Sequence, residues 1–510
     1  MAIRIANVDA LSTALPSSVS TVKHGRFLSH VTKLASAQVI SLVLGLITAP
    51  IFGRLFAPEQ VGTFTLFFSV ITLVSTFGGM HYELAVVLPK DDEDAINVWT
   101  ASALILAIWS ALLGLAAVFG VGHLLIKTKY AAIVPLLWLV PLAVIIGNLG
   151  GLVTYWLNRK QHFGVNAKSS VLGSVCNQVG SIGGGWLGFR SAAALVAVNL
   201  VAQVAGLAVR FRAFWRLTSP CWHKVRLSGV LSMLKRYRKF PLVEIWGSFL
   251  NTLSTQLAPL LIAYYFSSAV VGQYAQGMRL IQLPTVLVGA AITQVFYSQA
   301  SAALHENRLP ALVQKVMEGL VLVGGFPFLV LAMYGDVLFG ALLGLRWVEG
   351  GVYAQILAGW CFLVFCGAPV STIAFVLDRQ GELLVFNVLT VVLRALALVG
   401  GGLLGSPRLA ITLYSLVGIV LWLGFISALF HFASMPVLKS WTAHLKALVP
   451  TVVAAIPLLA ARMLIPSSSF RLLAVLVITL SYLGYMVWRH PLYRSVLNMV
   501  RNALPNGRPV

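Results

Sequence analysis

The chain has 510 residues, of which 59% are hydrophobic and only 10% are charged. Water-soluble proteins carry roughly 25% charged residues, so this composition excludes an ordinary soluble domain and indicates a polytopic membrane protein. The net charge of +22 suggests nucleic acid at first sight, but cytoplasmic loops of membrane proteins collect Lys and Arg without any such partner, and we expect none.

The first 26 residues are polar and lack an early apolar core, so we expect no cleaved signal peptide and an uncleaved first span. A helix needs about 20 apolar residues to cross the hydrocarbon core. By that criterion the sequence predicts about fourteen membrane spans. They are 34–56, 61–84, 97–120, 131–156, 166–188, 190–210, 242–266, 272–298, 314–335, 350–376, 382–403, 408–432, 446–465 and 470–488.

The distribution of basic residues predicts the orientation of these spans. With the N-terminus in the cytoplasm, the cytoplasmic segments hold 26 Lys and Arg, the opposite side and its margins hold 9, and Arg394 lies inside a span. Cytoplasmic loops are enriched in Lys and Arg, so we expect both termini in the cytoplasm. Residues 210–239 carry nine of these charges and are typical of a connector on the anionic inner leaflet.

No enzyme motif is present in the chain. We find no GxxxxGK[ST], HExxH or GxSxG, and no predicted loop is long enough for a catalytic domain. The four cysteines lie mostly in apolar runs, form no CxxC pair and accompany no His cluster. We therefore expect neither an enzyme nor a bound metal or cofactor.

A Pro-to-Gly segment occurs twice, as Pro50 to Gly62 and as Pro259 to Gly272, each time near the start of half of the hydrophobic chain. This repetition predicts a duplicated transporter whose two turns lie at the outer ends of the halves, with Gly62 and Gly272 letting helices approach at a gate. The predicted organisation comprises a cytoplasmic segment, a first lobe, a basic connector, a second lobe, an extra helix pair and a tail. Their ranges are 1–33, 34–210, 211–240, 241–435, 436–488 and 489–510.

Several segments resemble polysaccharide biosynthesis proteins of the O-antigen flippase type, in the multidrug/oligosaccharidyl-lipid/polysaccharide exporter superfamily. They are GRLFAPEQVGTF at 53–64, YELA at 82–85, NRK at 158–160, DVLFG at 336–340 and DRQG at 378–381. The order of these segments carries the resemblance, which covers about residues 30 to 435.

The resemblance implies an all-α integral membrane fold with two six-helix lobes in a V around a central cavity, plus two extra C-terminal helices. It implies a flippase of the bacterial inner membrane. Such a protein moves an oligosaccharide on a polyprenyl diphosphate to the periplasmic leaflet by alternating access, for O-antigen, capsule or exopolysaccharide. Membrane lipids and other polysaccharide assembly proteins are further expected partners.

Basic residues would bind the diphosphate of such a substrate, because charge-assisted donors suit its oxygens and Arg presents a planar fork. The candidates are Arg394, Arg279, Arg54 and Lys33. The alternatives are an ion pair with an acid on another span for Arg394 and snorkelling to the interface for Arg54. Replacing Arg394 or Arg279 by Ala is expected to abolish export.

Neutral polar residues would bind the sugars. The seventh span provides Asn251, Thr255 and Gln256, and the first provides Gln38. Hydrogen bonding between helices is an equally good explanation of these residues. For ion coupling the candidates are Glu244, Glu83 and Asp336, each of which could instead pair with a nearby Arg.

Three other functions compete with the flippase. A multidrug or cation antiporter of the same superfamily would need a cavity centred on carboxylates, and the mid-membrane charge here is mostly Arg. A membrane glycan polymerase or ligase would carry a large periplasmic loop, and the predicted loops are short. A flippase of lipid-linked peptidoglycan precursor has the same fold, and sequence pattern leaves it open.

Overall fold

The computed structural model describes residues 40–120 and 130–489, and within those ranges the chain is helical with no strand. Sixteen helices have ten or more residues. They are α1 Ile40–Leu55, α2 Pro58–Ser75, α3 Asp92–Phe119, α4 Ala131–Arg159, α5 Phe163–Trp186, α6 Ala192–Thr218, α7 Leu227–Arg236, α8 Ile245–Tyr265, α9 Ser268–Ile281, α10 Ala290–His305, α11 Leu309–Leu342, α12 Val348–Val370, α13 Gln380–Leu403, α14 Pro407–Phe432, α15 Val437–Leu464 and α16 Ser468–Arg489.

Among the described residues, nine helices are long and apolar enough to cross a membrane: α3, α4, α6 and α11 to α16, of which α6 and α12 are continued by short flanking turns. The prediction of an all-helical multi-pass membrane protein is therefore confirmed. Each of the fourteen predicted segments overlaps at least one helix. The remaining helices in these segments, namely α1, α2, α5, α8, α9 and α10, are either shorter or more polar.

The predicted eighth span, 272–298, is not one continuous helix. It is divided into α9 and α10 by a turn at Gln282 and a π-helical stretch, Thr285–Gly289. Pro284 lies in this break, and proline has no N–H for the helical hydrogen bond and clashes with the preceding turn. Helix α9 thus ends at Ile281, two residues after Arg279.

Helix packing repeats between the first half of the chain, α1 to α6, and the second half, α8 to α14. In the first half α3 packs on α4, α4 on α6 and α5 on α6; in the second half α11 packs on α12, α12 on α14 and α13 on α14. The turns also correspond. Gly188 (φ 92°) and Gly405 (φ 71°) follow α5 and α13 in the left-handed region that favours glycine, and Ser191 and Ser406 then cap α6 and α14.

The two halves meet where α2 crosses α9. A Cβ on Gly62 would lie 1.6 Å from the carbonyl oxygen of Ser268, and a Cβ on Gly272 would lie 2.0 Å from that of Pro58. Each glycine thus faces the residue four positions before the other glycine. Only glycine permits this approach, so the expectation that the two glycines let helices come together is met by the geometry.

Side chains complete the contact at this end of the bundle, which we call the sealed end and define by Gly53, Gly62, Gly272 and Trp347. The fully buried indole of Trp347 donates a hydrogen bond of 2.7 Å to the carbonyl oxygen of Gly53, at the end of α1. Leu343 lies so close to Gly53 that a Cβ there would be 2.7 Å from it. The segment between α11 and α12, which contains Leu343 and Trp347, therefore packs against the end of α1.

The opposite end carries α7 and residues 219–239, and we call it the connector end. Asp92, at the start of α3, accepts hydrogen bonds from Arg159 and Lys160 of the α4–α5 turn. The Tyr82 hydroxyl donates to the carbonyl oxygen of Leu234 in α7 at 3.0 Å. These contacts hold α7 against the first half.

Helices α15 and α16 pack against α11 rather than joining the repeat. Asp336 of α11 accepts two hydrogen bonds of 3.0 Å from Arg462 of α15, and Gln355 of α12 donates to the same carboxylate at 2.9 Å. Phe326 and Tyr482 stack with ring centroids 4.1 Å apart, joining α11 to α16.

Candidate functional site

A cavity of about 510 Å³ lies between the two halves. Its wall is formed by α1 and α5 of the first half and by the end of α9 with the break that follows it in the second half. The lining residues are Ser41, Leu42, Gly45, Leu46, Ser170, Arg279, Leu280, Gln282, Leu283 and Val286. The wall is thus mostly apolar or neutral, with one cation.

Arg279 is the charged residue of this wall and extends from the second half toward the first. Its Nη2 lies 3.2 Å from the position a Cβ on Gly45 of α1 would take. The side chain is exposed to solvent, and no acid pairs with it in the described part of the chain. It lies eleven residues after the start of α9, which is about 16 Å along the helix from that start.

Neutral polar side chains lie beside this guanidinium. Gln178 Nε2 lies 3.3 Å from the same position next to Gly45. The Thr48 hydroxyl donates to Gln178 Oε1 at 3.0 Å, which joins α1 to α5. The sequence reasoning missed Gly45, Thr48 and Gln178. One feature of the sequence could have indicated Gln178: the fifth predicted span is unusually polar and also contains Ser170 and Asn177.

Arg394 does not line this cavity. It is only 9% exposed, and its guanidinium carbon lies 3.8 Å from the ring centroids of both Trp360 and Tyr414. The two rings are nearly perpendicular, at 79°, so the guanidinium occupies the corner between α12 and α14. Its Nε and Nη2 have no hydrogen-bond partner within the described ranges, and no ion pair with an acid is formed there.

Arg54 lies at the sealed end, where its exposed side chain donates a long hydrogen bond of 3.5 Å to the carbonyl oxygen of Ala341. It is close to the contact between halves but outside the cavity wall. Lys33 and Gln38 lie outside the described residues.

The predicted sugar ligands lie on α8. Asn251 and Thr255 are exposed and one turn apart, on a stripe that continues from Gly247. Gln256 is half-buried and donates at 3.4 Å to the Thr255 hydroxyl. Helix α8 packs against α2 and α13, so this stripe is at the boundary between the halves, although it is not part of the cavity wall described above.

The three candidate acids have different surroundings. Glu244 is exposed at the start of α8, and Asp336 is held by Arg462. Glu83 lies in the short helix Tyr82–Ala85 with its side chain 19% exposed; its Oε1 is 3.5 Å from Nδ1 of His81, and its Oε2 has no hydrogen-bond partner among residues 40–120 and 130–489. In the same ranges, no group of three or more His, Cys, Asp or Glu could hold a metal ion.

Solved structures identify the fold. The chain is similar to the lipid II flippase MurJ in an inward closed conformation, with a TM-score of 0.66 and 14% identity over 91% of this chain and 99% of that one. It is also similar to an inward-facing multidrug resistance MATE family transporter of the MOP superfamily. That match has a TM-score of 0.54 and 16% identity, and it covers 79% of this chain and 99% of the other. The chain therefore shares its fold with these two structures.

The family follows from the sequence match. Residues 51–350, more than half of the chain, match the family described as polysaccharide biosynthesis protein. No curated protein sequence is significantly similar to the chain. The chain belongs to the polysaccharide biosynthesis protein family. The resemblance found in the sequence is thereby confirmed.

Proposed function

We propose that the chain is a flippase that moves an oligosaccharide linked to a polyprenyl diphosphate across the inner membrane of a bacterium, for surface polysaccharide synthesis. The observation that carries this proposal is Arg279 in the cavity between the halves, which has no acid partner among residues 40–120 and 130–489. An Arg within a membrane costs at least about 2.5–3.5 kcal/mol, so a position without a resident acid indicates an anionic ligand.

The diphosphate suits this position. Arg offers a planar fork of donors that binds two phosphate oxygens at once. Gly45 leaves the guanidinium space beside α1, and Gln178 supplies a neutral amide next to it. Since the cation belongs to the second half and its neighbours to the first, a ligand bound to both would contact the two halves together.

The sugars would extend along α8. Asn251 and Thr255 are exposed polar side chains on one stripe of a helix that is otherwise largely apolar. Polar side chains in a membrane generally face protein or water rather than lipid. We therefore propose that this stripe faces the transport path, with Gln256 orienting Thr255 and with Gln38 as its counterpart on the first span.

The remaining predicted cations would have secondary parts. Arg54 would attract the head group at the sealed end, and Lys33 would do so at the cytoplasmic mouth. Arg394, in its aromatic corner, would add a fixed positive potential without direct contact in the conformation described here, and contact would require α13 to rotate. All four remain proposals.

Transport would occur by alternating access between two six-helix lobes, with the fourteen predicted spans and the last two outside the repeat. We propose that the sealed end is periplasmic and the connector end cytoplasmic, with both termini in the cytoplasm, because basic residues are concentrated at the connector end. The crossing at Gly62 and Gly272 would be the periplasmic gate. The membrane potential favours outward movement of an anion by about 2.3 kcal/mol per charge per 100 mV.

Among the three candidate acids, we propose Glu83 as the group that couples transport to an ion, with a proton as that ion. A buried carboxylate oxygen without a donor is costly when ionised, whereas a proton needs no additional space. His81 lies beside it, and both Met80 (φ 49°) and His81 (φ 59°) are in the left-handed backbone region, in the turn between α2 and the short helix Tyr82–Ala85. Titration here would act on the helix that forms the seal.

Purified chain in proteoliposomes with an imposed pH gradient tests this coupling. Glu83→Gln should abolish the response of substrate translocation to the gradient, while translocation without a gradient persists. Glu244→Gln removes an exposed carboxylate near the same end and should respond as wild type. An unchanged response in Glu83→Gln would exclude Glu83 as the coupling group.

The two other functions within the superfamily predict different substrates. A cation antiporter is not favoured, because an unpaired Arg in the cavity repels cations. A peptidoglycan-precursor flippase would handle the same diphosphate chemistry, and only the sugar part would distinguish it.

Deletion of the gene in its host tests the proposed function. Lipid-linked oligosaccharide should accumulate in the cytoplasmic leaflet, and surface polymer should be lost. Loss of cell-wall precursor transport with intact polymer would favour the peptidoglycan alternative. Intact polymer together with altered drug sensitivity would contradict the proposal in favour of an antiporter.

A further inference from the structure

Three acidic residues at the connector end, at the start of α3, are already paired. Asp92 binds Arg159 and Lys160, Glu93 binds Lys224, and Asp94 lies 3.5 Å from Arg236. These pairs leave a second set of cations in the same region that are exposed and have no ion pair within the described ranges. They are Arg212, Arg216, Arg226, Lys235, Arg238 and Lys239.

Two of these cations flank a cleft at the end of α6. The cleft is an open depression of about 440 Å³ on the outer face of this one helix, lined by Phe211, Arg212, Trp215 and Arg216. The rings of Phe211 and Trp215 stack, with centroids 6.2 Å apart and planes at 27°. Trp215 is 53% exposed. Aromatic rings beside guanidinium groups are typical of the level of a membrane at which lipid head groups lie.

Helix α7 presents apolar side chains next to these charges. Val230 and Met233 are buried against the first half, whereas Leu227 and Leu231, one turn apart, are 73% and 57% exposed. In water these leucines would gain nothing from exposure. At a membrane surface they can enter the boundary of the acyl chains while neighbouring Lys and Arg contact phosphates, as in amphipathic interfacial helices.

We infer that the Phe211–Arg216 cleft, together with α7, is a binding site for a phospholipid with an anionic head group. The guanidinium groups of Arg212 and Arg216 would hold the phosphodiester, Trp215 would cover the glycerol region, and the leucines of α7 would anchor the acyl side. Excess positive charge favours an anionic lipid over a zwitterionic one, by about 1 kcal/mol for each basic residue near the surface. This site is independent of the transported substrate.

Lipid binding to the purified full-length chain, measured by native mass spectrometry in detergent, tests this site. The probes are phosphatidylglycerol, phosphatidylcholine and inorganic phosphate. Wild type should bind phosphatidylglycerol in preference to phosphatidylcholine. Arg212→Gln with Arg216→Gln should weaken phosphatidylglycerol binding by about 30-fold, since two basic residues are removed.

A matched control removes the same charge elsewhere. Arg308→Gln with Arg379→Gln replaces two exposed arginines that are paired with Glu306 and Glu382, and should change binding by less than about twofold. If the first double variant does not accumulate, Arg216→Gln alone should weaken binding by about fivefold.

Three results would overturn the inference. The first is equal phosphatidylglycerol binding by wild type and by the Arg212 and Arg216 variants. The second is equal binding of phosphatidylglycerol and phosphatidylcholine. The third is displacement of the lipid by inorganic phosphate at comparable concentration, which would assign the cleft to a free phosphate instead.

Discussion

Two arginines in the second half, Arg279 and Arg394, lie within helices but in opposite environments. Arg279 is exposed in a cavity, near glycine and amide groups of the other half. Arg394 is 9% exposed and is in contact with two aromatic rings of its own half. Both lack an acid within the described residues, so charge alone does not distinguish them. The neighbours of Arg279 leave its guanidinium available to a ligand, whereas Trp360 and Tyr414 cover the guanidinium of Arg394.

Replacement of Arg279 should have the largest effect on transport. Arg279→Ala removes the cation of the cavity and is expected to abolish export of surface polymer, while the protein reaches the membrane in normal amount. Arg379→Gln serves as the control, because it removes an exposed arginine already paired with Glu382. Surface polymer and protein level, measured together in a deletion strain, check this outcome. Full export by Arg279→Ala would contradict the role of the cavity.

A methyl group at the α2–α9 crossing should also abolish export. In alternating access the cavity that contains Arg279 must open to each side of the membrane in turn, and the crossing must close for this to happen. Gly62→Ala and Gly272→Ala each place a Cβ within 1.6–2.0 Å of a carbonyl oxygen and prevent the seal from closing as described. Gly183→Ala is the control, since a Cβ there meets nothing within 4 Å. Export that is normal in both crossing variants would show that this contact is not required.

Replacement of each arginine by lysine should affect stability at Arg394 and transport at Arg279. Arg394→Lys keeps the charge but loses the planar contact with two rings, and we expect it to lower the free energy of unfolding by about 1–2 kcal/mol. Arg279→Lys should leave this free energy within about 0.5 kcal/mol of wild type and reduce transport instead. Thermal unfolding in detergent, paired with transport in proteoliposomes, measures both. Equal stability in the two variants would remove the distinction.

The smallest effect on the free energy of unfolding is expected from substitution of Tyr414, one of the two rings that contact Arg394. Tyr414→Phe keeps the aromatic face against Arg394 and removes only the hydroxyl, so the free energy of unfolding should change by less than about 1 kcal/mol. Tyr414→Leu removes the face and should approach the loss seen in Arg394→Lys. If both substitutions at Tyr414 behave alike, the ring does not stabilise the guanidinium.

Much of the fold could be predicted from hydrophobicity, since each of the fourteen apolar segments overlaps a helix and nine helices among the described residues are long and apolar enough to span a membrane. The repeat indicated that Gly62 and Gly272 let helices approach, but not that these two glycines lie against each other. Division of 272–298 was missed, although Pro284 marks it. The bond between Asp336 and Arg462 could not be predicted, because 126 residues separate them and hydropathy carries no information on which helices touch.

The candidate site was predicted less completely. Arg279 was identified from its charge, but its neighbours Gly45 and Gln178 have no chemical signature of their own and acquire a role only through the packing of α1 on α5. Arg394 could not be told apart from Arg279 in the sequence, because both are arginines within predicted membrane spans. Which side of α13 faces α12 and α14 depends on how the helices pack, and one intramembrane charge does not specify it.

The crossing of Gly62 and Gly272 is a contact of main chain with main chain, since the atoms nearest to a Cβ on either glycine are all backbone atoms of the other helix. Ionic strength and proton concentration therefore have little direct influence on how firmly it closes, since screening acts on charges. At the crossing, closing depends on how closely the two main chains fit. The crossing therefore opens through rigid-body movement of α2 or α9, which separates the two main chains.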